Sequence, residues 1–143
     1  MTYDNIVTGT FFKRPNRFIA YVEVKGDVKT CHVKNTGRCQ ELLVPGCTVV
    51  LEFHPKAKEM KRKTEYDLIA VYKGNLLINM DSQAPNQAAL EWIREKEAKG
   101  LSLENVGIPT NIRREVTHGE SRFDLAFELK DEVTGKTVPA FME

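Results

Sequence analysis

The sequence predicts a small antiparallel β-barrel followed by an incomplete α/β unit. Residues 6–72 hold five short segments with strand patterns, which are joined by turns and basic loops. The pattern changes after residue 74, where one helical segment precedes three further strands. A helix and three strands over about 60 residues bury too little apolar surface to be stable alone. The second unit is therefore expected to pack on the barrel, to pair with another chain or to continue beyond residue 143.

The barrel strands are expected at residues 6–14, 17–24, 28–33, 47–54 and 64–72. In the second strand, alternation places Phe18, Ala20, Val22 and Val24 on one face. The turn "KGD" makes the second and third strands a hairpin, and "CQELL" favours one helical turn before the fourth. An OB-fold is the leading candidate because it closes a sheet with about this many strands. An SH3-like barrel is the alternative.

The second unit is expected to begin with a helix after Pro85 and to stop at Gly100. Ala89, Ile93 and Lys96 share a helical face with Trp92. Three strands follow, at 111–118, 121–129 and 137–143. The boundary between the units is expected near 74–84, which gives domains of 1–78 and 79–143.

Composition describes a globular chain, with 41% hydrophobic and 29% charged residues. No apolar run reaches the roughly 20 residues of a membrane helix, and the N-terminus lacks the pattern of a secretory signal. We therefore expect a cytoplasmic protein without a membrane partner. The three cysteines are expected to be free thiols in that compartment. A zinc site formed by these cysteines with His32 or His54 is not favoured, because the sequence has no pair of such ligands at short spacing.

Charge is distributed unevenly along the chain. Residues 1–63 carry 12 Lys and Arg against 6 Asp and Glu, whereas residues 64–143 carry 9 against 14. A basic front half can supply a phosphate-facing surface, because neutralised phosphates release counterions and drive binding. The alternative is an ordinary salt-bridged surface.

Three basic segments are candidates for a DNA-binding surface: "KRPNRF" (13–18), "KNTGRC" (34–39) and "KAKEMKRK" (56–63). Arginine offers a planar fork of donors to phosphate, and aromatic side chains such as Phe12, Phe18 and Tyr21 offer faces on which bases stack. Solvated turns are the plainer interpretation. The predicted DNA-binding residues are Arg14, Arg17, Asn35, Thr36, Gly37, Arg38, Arg62, Lys63 and Arg122.

Carboxylates in the last strands are candidates for a metal site. Asp124 and Glu143 lie in neighbouring strands of a hairpin, where two acids can converge, and Glu91 on the helix can supply a third. Converging carboxylates are costly unless they bind a cation, and Mg²⁺ suits such a site with water completing its shell. A bound Mg²⁺ activates water and stabilises a phosphoryl transition state. The alternative is a pair of solvent-facing acids on an edge hairpin.

Five ordered blocks resemble the sugar fermentation stimulation protein family: "FKRPNRFIAYV", "NTGRCQELLVPG", "KRKTEYDL", "APNQAALE" and "EVTHGESRFDL". The similarity runs from about residue 9 to residue 143. It implies an N-terminal OB-like barrel and a C-terminal domain like the PD-(D/E)xK nucleases, hence an incomplete restriction-endonuclease-like α/β domain here. It also implies DNA binding in the regulation of sugar-utilisation genes, with a nuclease activity suspected from the fold.

The resemblance assigns the same three acids. Asp124 matches the acid of the "SR-x-D" block, Glu143 the acid of a strand that continues Glu-Val-Lys, and Glu91 the helix acid after "PN". Lys34 stands where the family has proline, which adds a cation to the loop. The family lysine would follow Glu143 by two residues, so hydrolysis by this chain is expected to be severely impaired.

Three functions follow as hypotheses. The first is a DNA-binding protein without turnover, with little sequence preference. The second is a nuclease in the intact protein, with Asp124 and Glu143 as catalytic residues, Mg²⁺ or Mn²⁺ as cofactor and no organic cofactor. The third is a barrel that binds an oligosaccharide or a protein. An exposed sheet edge after Glu143 also favours a homodimer.

Overall fold

The computed structural model describes residues 1–143 and divides into two compact units, one of Thr2–Gln83 and the other of Ala84–Glu143 together with Met1. The first unit contains only strands, and the second contains one helix and three strands. The elements of the first unit are β1 (Ile6–Asn16), β2 (Ile19–Val24), β3 (Asp27–Val33), β4 (Thr48–Phe53), β5 (Tyr66–Lys73) and β6 (Leu76–Asn79). Those of the second are α1 (Ala84–Lys99), β7 (Ile108–His118), β8 (Ser121–Lys130) and β9 (Thr137–Met142).

The first unit is a closed barrel with strand order β3-β2-β1-β4-β5, and a parallel pairing of β3 with β5 closes it. The long strand β1 serves two neighbours, because its first half pairs with β4 and its second half with β2. Gly9 on β1 allows β2 to come this close, since a Cβ at that position would lie 2.5 Å from Val22 Cγ1 and 2.7 Å from the Glu23 carbonyl oxygen. The predicted five-stranded, OB-like barrel is therefore confirmed. The sixth strand, β6, pairs with β5 and was not predicted.

The barrel core follows the predicted alternation of β2, since Ala20, Val22 and Val24 are buried. Phe18 is an exception, because it lies in the turn before β2 and is 48% exposed. Phe18 therefore does not share one face with Ala20, Val22 and Val24, as the alternation had predicted. Asn16 Oδ1 accepts hydrogen bonds from the Phe18 and Ile19 amides and so fixes the turn, which directs the Phe18 ring outward.

In the second unit, α1 packs on β7 and β8, which form a sheet of order β7-β8-β9. The helix ends in a Schellman arrangement at Gly100 (φ 61°), where the Leu101 amide donates to the Lys96 carbonyl. Leu90 and Ile93 form its buried face. Trp92, which was predicted to share a helical face with Ile93, is 40% exposed, because the helix turns the Leu90 side of its surface to the sheet. α1 has neither the length nor the apolar character of a membrane-crossing helix.

Candidate nucleic-acid interface

Arg14 organises the loop that follows β3. Its Nη1 donates to the carbonyls of Gly37 (2.7 Å) and Arg38 (2.9 Å). Its Nη2 donates to those of Arg17 (2.6 Å) and Asn35 (2.6 Å). Four backbone carbonyls thus occupy the terminal nitrogens, and the buried Nε has no partner. Arg14 holds the loop in shape, and its fork is not free to receive a phosphate.

The loop itself has a fixed turn. Asn35 Oδ1 accepts a hydrogen bond of 2.8 Å from the Gly37 amide, which is an Asx-turn. A Cβ on Gly37 would lie 3.0 Å from that same oxygen, so a larger residue would crowd the turn. Asn35 and Gly37 therefore shape the loop, while Thr36 and Arg38 remain exposed on it.

Lys34, at the start of this loop, is paired. Its Nζ lies 2.7 Å from Asp81 Oδ2, and the Asp81 carboxyl also accepts from Tyr3 Oη (3.1 Å) and the Gln83 amide (2.9 Å). Burial alone would raise the pKa of Asp81, but the hydrogen bonds from Lys34 and Gln83 outweigh it and lower that pKa. The pKa of Lys34 is raised, because the Asp81 contact outweighs its own burial. The extra cation expected at Lys34 is thus neutralised by Asp81.

Three concavities follow one another on the barrel surface. Their volumes are about 350, 560 and 390 Å³. Asn16 lines the first and the second, and Arg62, Lys63 and Thr64 line both the second and the third. The shared residues join the three into one surface, which we call the basic groove. Besides Arg14, its cationic lining consists of Lys13, Arg17, Lys29, Arg38, Lys58, Arg62 and Lys63.

The basic groove contains one acidic residue, Glu65, and an exposed aromatic ring. The Arg17 guanidinium carbon lies 5.1 Å from the centre of the Phe18 ring, within the range of a cation–π contact. Phe18 lines the second concavity, next to Lys63 and Arg62. A cationic surface with an exposed ring suits a nucleic-acid strand, whose phosphates pair with cations and whose bases stack on aromatic faces.

A buried carboxylate, that of Asp67, holds Arg62, which lines the second and third concavities of the groove. The Asp67 side chain is 4% exposed, and its Oδ1 lies 2.5 Å from Arg62 Nη2 and 3.4 Å from His32 Nδ1. Its Oδ2 lies 3.0 Å from His54 Nε2. Arg62 is thereby tied to the barrel wall, and it fixes the end of the basic loop between β4 and β5.

Asp67 was not predicted as a functional residue, and His32 and Lys29 were not predicted to line a binding surface. Asp67 on β5 meets His32 on β3 because the two pair in register, and it pairs in register with Glu52 on β4 as well. An acid in the otherwise apolar β5 segment, "YDLIAVY", was the available indication.

The predicted acids and Arg122 belong to the second unit. Asp124 is half-buried on β8, one position before the Leu125–Met142 pair, and Glu143 follows Met142. The register therefore sets Asp124 and Glu143 opposite each other. Glu91 is half-exposed on α1 and accepts from Gln87 Nε2 (2.7 Å). The three acids do not form a group of ligand atoms within 4.8 Å. Arg122 is exposed and pairs with Glu115 at 2.8 Å.

The fold and the groove define a class of protein: an OB-type barrel with a cationic surface, followed by a small α/β unit. The family model described as the SfsA N-terminal OB domain matches residues 12–80. A sugar fermentation stimulation protein homolog of Alkaliphilus oremlandii is 55% identical over 129 residues, which cover 90% of this chain and 52% of that protein. A homolog of the same name from Clostridium beijerinckii is 50% identical, over 91% of this chain and 53% of that protein.

The chain belongs to the sugar fermentation stimulation protein family. It spans about half the length of the curated relatives it matches. A solved structure of Pyrococcus furiosus SfsA in complex with Ca²⁺ has a TM-score of 0.71 and 23% identity. That likeness covers 99% of this chain and 54% of the other, and it supports the fold.

Proposed function

We propose that the barrel unit binds DNA without strong sequence preference, along the basic groove. The observation that carries this proposal is the continuity of the groove, where three concavities with seven cationic side chains besides Arg14 share lining residues. Backbone phosphates recur along any nucleic-acid strand, so a row of cations binds them without reading bases. A role in regulating sugar utilisation, as the name of the relatives suggests, would depend on this binding.

Within the groove, the predicted residues take different roles. Arg17, Arg38 and Lys63 contact phosphate, because they line the groove, whereas Arg62 lines it but is paired with Asp67. Arg14 keeps the loop 35–38 in place through backbone carbonyls, as a positioning residue.

An exposed Phe18 favours a single strand over a duplex, since stacking on a protein ring requires an unpaired base. The same ring is also compatible with the third hypothesis, an oligosaccharide. A neutral sugar, however, gains nothing from seven cations, whereas each bound phosphate releases counterions.

The experiment that tests the proposal is a binding measurement on a labelled 12-nucleotide oligothymidine and on a duplex, at rising salt concentrations. We expect tight binding at low salt that weakens steeply, with the single strand preferred. Absence of binding at low salt would overturn the proposal, and salt-independent binding of a neutral oligosaccharide would support the third hypothesis instead.

A second candidate function is metal-dependent nuclease activity in the intact protein. It is favoured by the register that sets Asp124 opposite Glu143. Two carboxylates and water suit Mg²⁺, which would supply an activated water, while Glu91 is not brought into one ligand group with them. The test is plasmid cleavage by a full-length family member with Mg²⁺ or Mn²⁺. Cleavage that is lost when the acid matching Asp124 is changed to Asn supports this function, and no cleavage refutes it.

A further inference from the structure

A separate cluster on the barrel has the donors of a transition-metal site. Glu52, His54 and Asp67 each offer one ligand atom, and the three atoms lie within 4.8 Å of one another. Glu52 is in β4 and His54 directly follows its last residue, so extended backbone two residues apart sets both side chains on one side. Asp67 is the register partner of Glu52 on β5. The basic groove borders this cluster through Arg62, but DNA binding does not require it.

The two carboxylates are arranged in the same way. Each has one oxygen held by a donor: Arg62 Nη2 lies at Asp67 Oδ1, and the Asp4 amide donates to Glu52 Oε1 (2.9 Å). Each turns its other oxygen toward His54 Nε2, at 3.0 Å from Asp67 Oδ2 and 3.7 Å from Glu52 Oε2. Outer donors that fix one oxygen of a carboxylate and leave the other free are typical of metal ligands.

The distances suit a tetrahedral ion. Ligand atoms at 2.0–2.2 Å from a tetrahedral Zn²⁺ lie about 3.4 Å from each other. This separation falls between the distances of His54 Nε2 from Asp67 Oδ2 (3.0 Å) and from Glu52 Oε2 (3.7 Å). One imidazole with two carboxylates favours Zn²⁺ and its neighbours over Ca²⁺ or Mg²⁺, which prefer oxygen alone. All three side chains are mostly buried, with 15%, 23% and 4% exposure for Glu52, His54 and Asp67. Their desolvated charges therefore gain from a cation.

We propose that Glu52 Oε2, His54 Nε2 and Asp67 Oδ2 bind one Zn²⁺ or a similar divalent transition ion, with water in the fourth position. Arg62 and the Asp4 amide hold the ligands from outside. His32 Nδ1 lies on the Oδ1 side of Asp67 and is not a ligand in this arrangement. The alternative is a metal-free cluster in which His54 donates a hydrogen bond to Asp67.

The test is a titration of the chelator-treated chain with Zn²⁺ by calorimetry and with Co²⁺ by visible absorption. We expect one ion per chain and tetrahedral Co²⁺ bands without thiolate charge-transfer absorption. His54→Gln and Glu52→Gln should each weaken binding by about tenfold or more, and Arg62→Gln by about 10–100-fold through the outer shell. His118→Gln and Glu23→Gln, at exposed positions, are the matched controls and should bind as the parent does.

Circular dichroism of each variant establishes that it is folded, and Zn²⁺ should raise the thermal midpoint of the parent but not of folded His54→Gln. No binding by the folded parent, equal binding by His54→Gln, or a Co²⁺–thiolate band would each overturn the proposal.

Discussion

Replacing two arginines of the basic groove should flatten the salt dependence of DNA binding by a calculable amount. Seven cations besides Arg14 line the groove, but Arg62 is paired with Asp67 and Lys29 with Asp27, so five are free to neutralise phosphates. At about 0.7 released counterions per phosphate of a single strand, log K should fall with log salt at a slope of about −3.5.

The double variant Arg17→Gln/Arg38→Gln removes two of those contacts and should reduce the magnitude of the slope by about 1.4. If the two proteins have equal affinity near 1 M salt, the loss is about 1.8 log units, or roughly 60-fold, at about 50 mM salt. It shrinks to roughly tenfold at about 200 mM. Fluorescence anisotropy of a labelled oligothymidine measures both numbers.

The matched control is Lys25→Gln/Lys73→Gln, which removes the same charge from two exposed positions outside the groove. Its slope should equal that of the parent. If the control flattens the slope as much as the groove variant does, binding depends on net charge alone and the assigned surface is wrong. An unchanged slope in the groove variant would refute it as well.

Three further predictions concern the groups that hold the barrel in shape. Arg14→Lys keeps the charge but loses carbonyl contacts, so the free energy of unfolding measured in urea should fall by about 1–3 kcal/mol. The DNA affinity should fall without a change in its salt slope, and a flattened slope would mean that Arg14 contacts phosphate. Burial raises the pKa of the Cys31 thiol to about 12. A thiol reagent should therefore modify only Cys39 and Cys47 in the folded chain, and all three cysteines in denaturant. Rapid modification of Cys31 in the folded chain would contradict its burial. Burial acts to raise the pKa of Asp81, but the hydrogen bond from Lys34 outweighs it and the pKa is lowered. The ionised Asp81 therefore stabilises the fold at pH values above the ordinary pKa of 3.8, and this stabilisation is lost as the pH falls below 3.8. Urea unfolding between pH 7 and pH 3 should show this loss in the parent and a smaller one in Asp81→Asn.

The sequence predicted the barrel because several of its strands alternate between a buried and a more exposed face. β2 illustrates this, since the buried Ala20, Val22 and Val24 follow the pattern. β6 escaped prediction because it is short and mostly exposed, and it is defined by its pairing with β5 and not by alternation. Trp92 was misassigned because helical spacing defines several overlapping faces, and only contact with the sheet selects the one that holds Leu90 and Ile93.

The candidate site was predicted in part. Runs of cations identified the loops that carry Arg38 and Lys63, because local composition marks a charged surface. The sequence could not show that Arg14 is engaged by four carbonyls, since those contacts span up to 24 positions of the chain. Nor could it bring Asp67 to His32 and Glu52, since strand register creates those contacts.

The central claim is that a nucleic-acid strand lies along the basic groove, and amide chemical-shift mapping tests it most directly. On titration of the ¹⁵N-labelled chain with oligothymidine at low salt, the amides of Asn16, Phe18, Gly37 and Thr64 should shift together and saturate at one stoichiometry. The amide signals of Lys25 and Lys73 should not shift. Saturable binding with shifts confined to residues outside the groove, or no shifts at all, would contradict the claim.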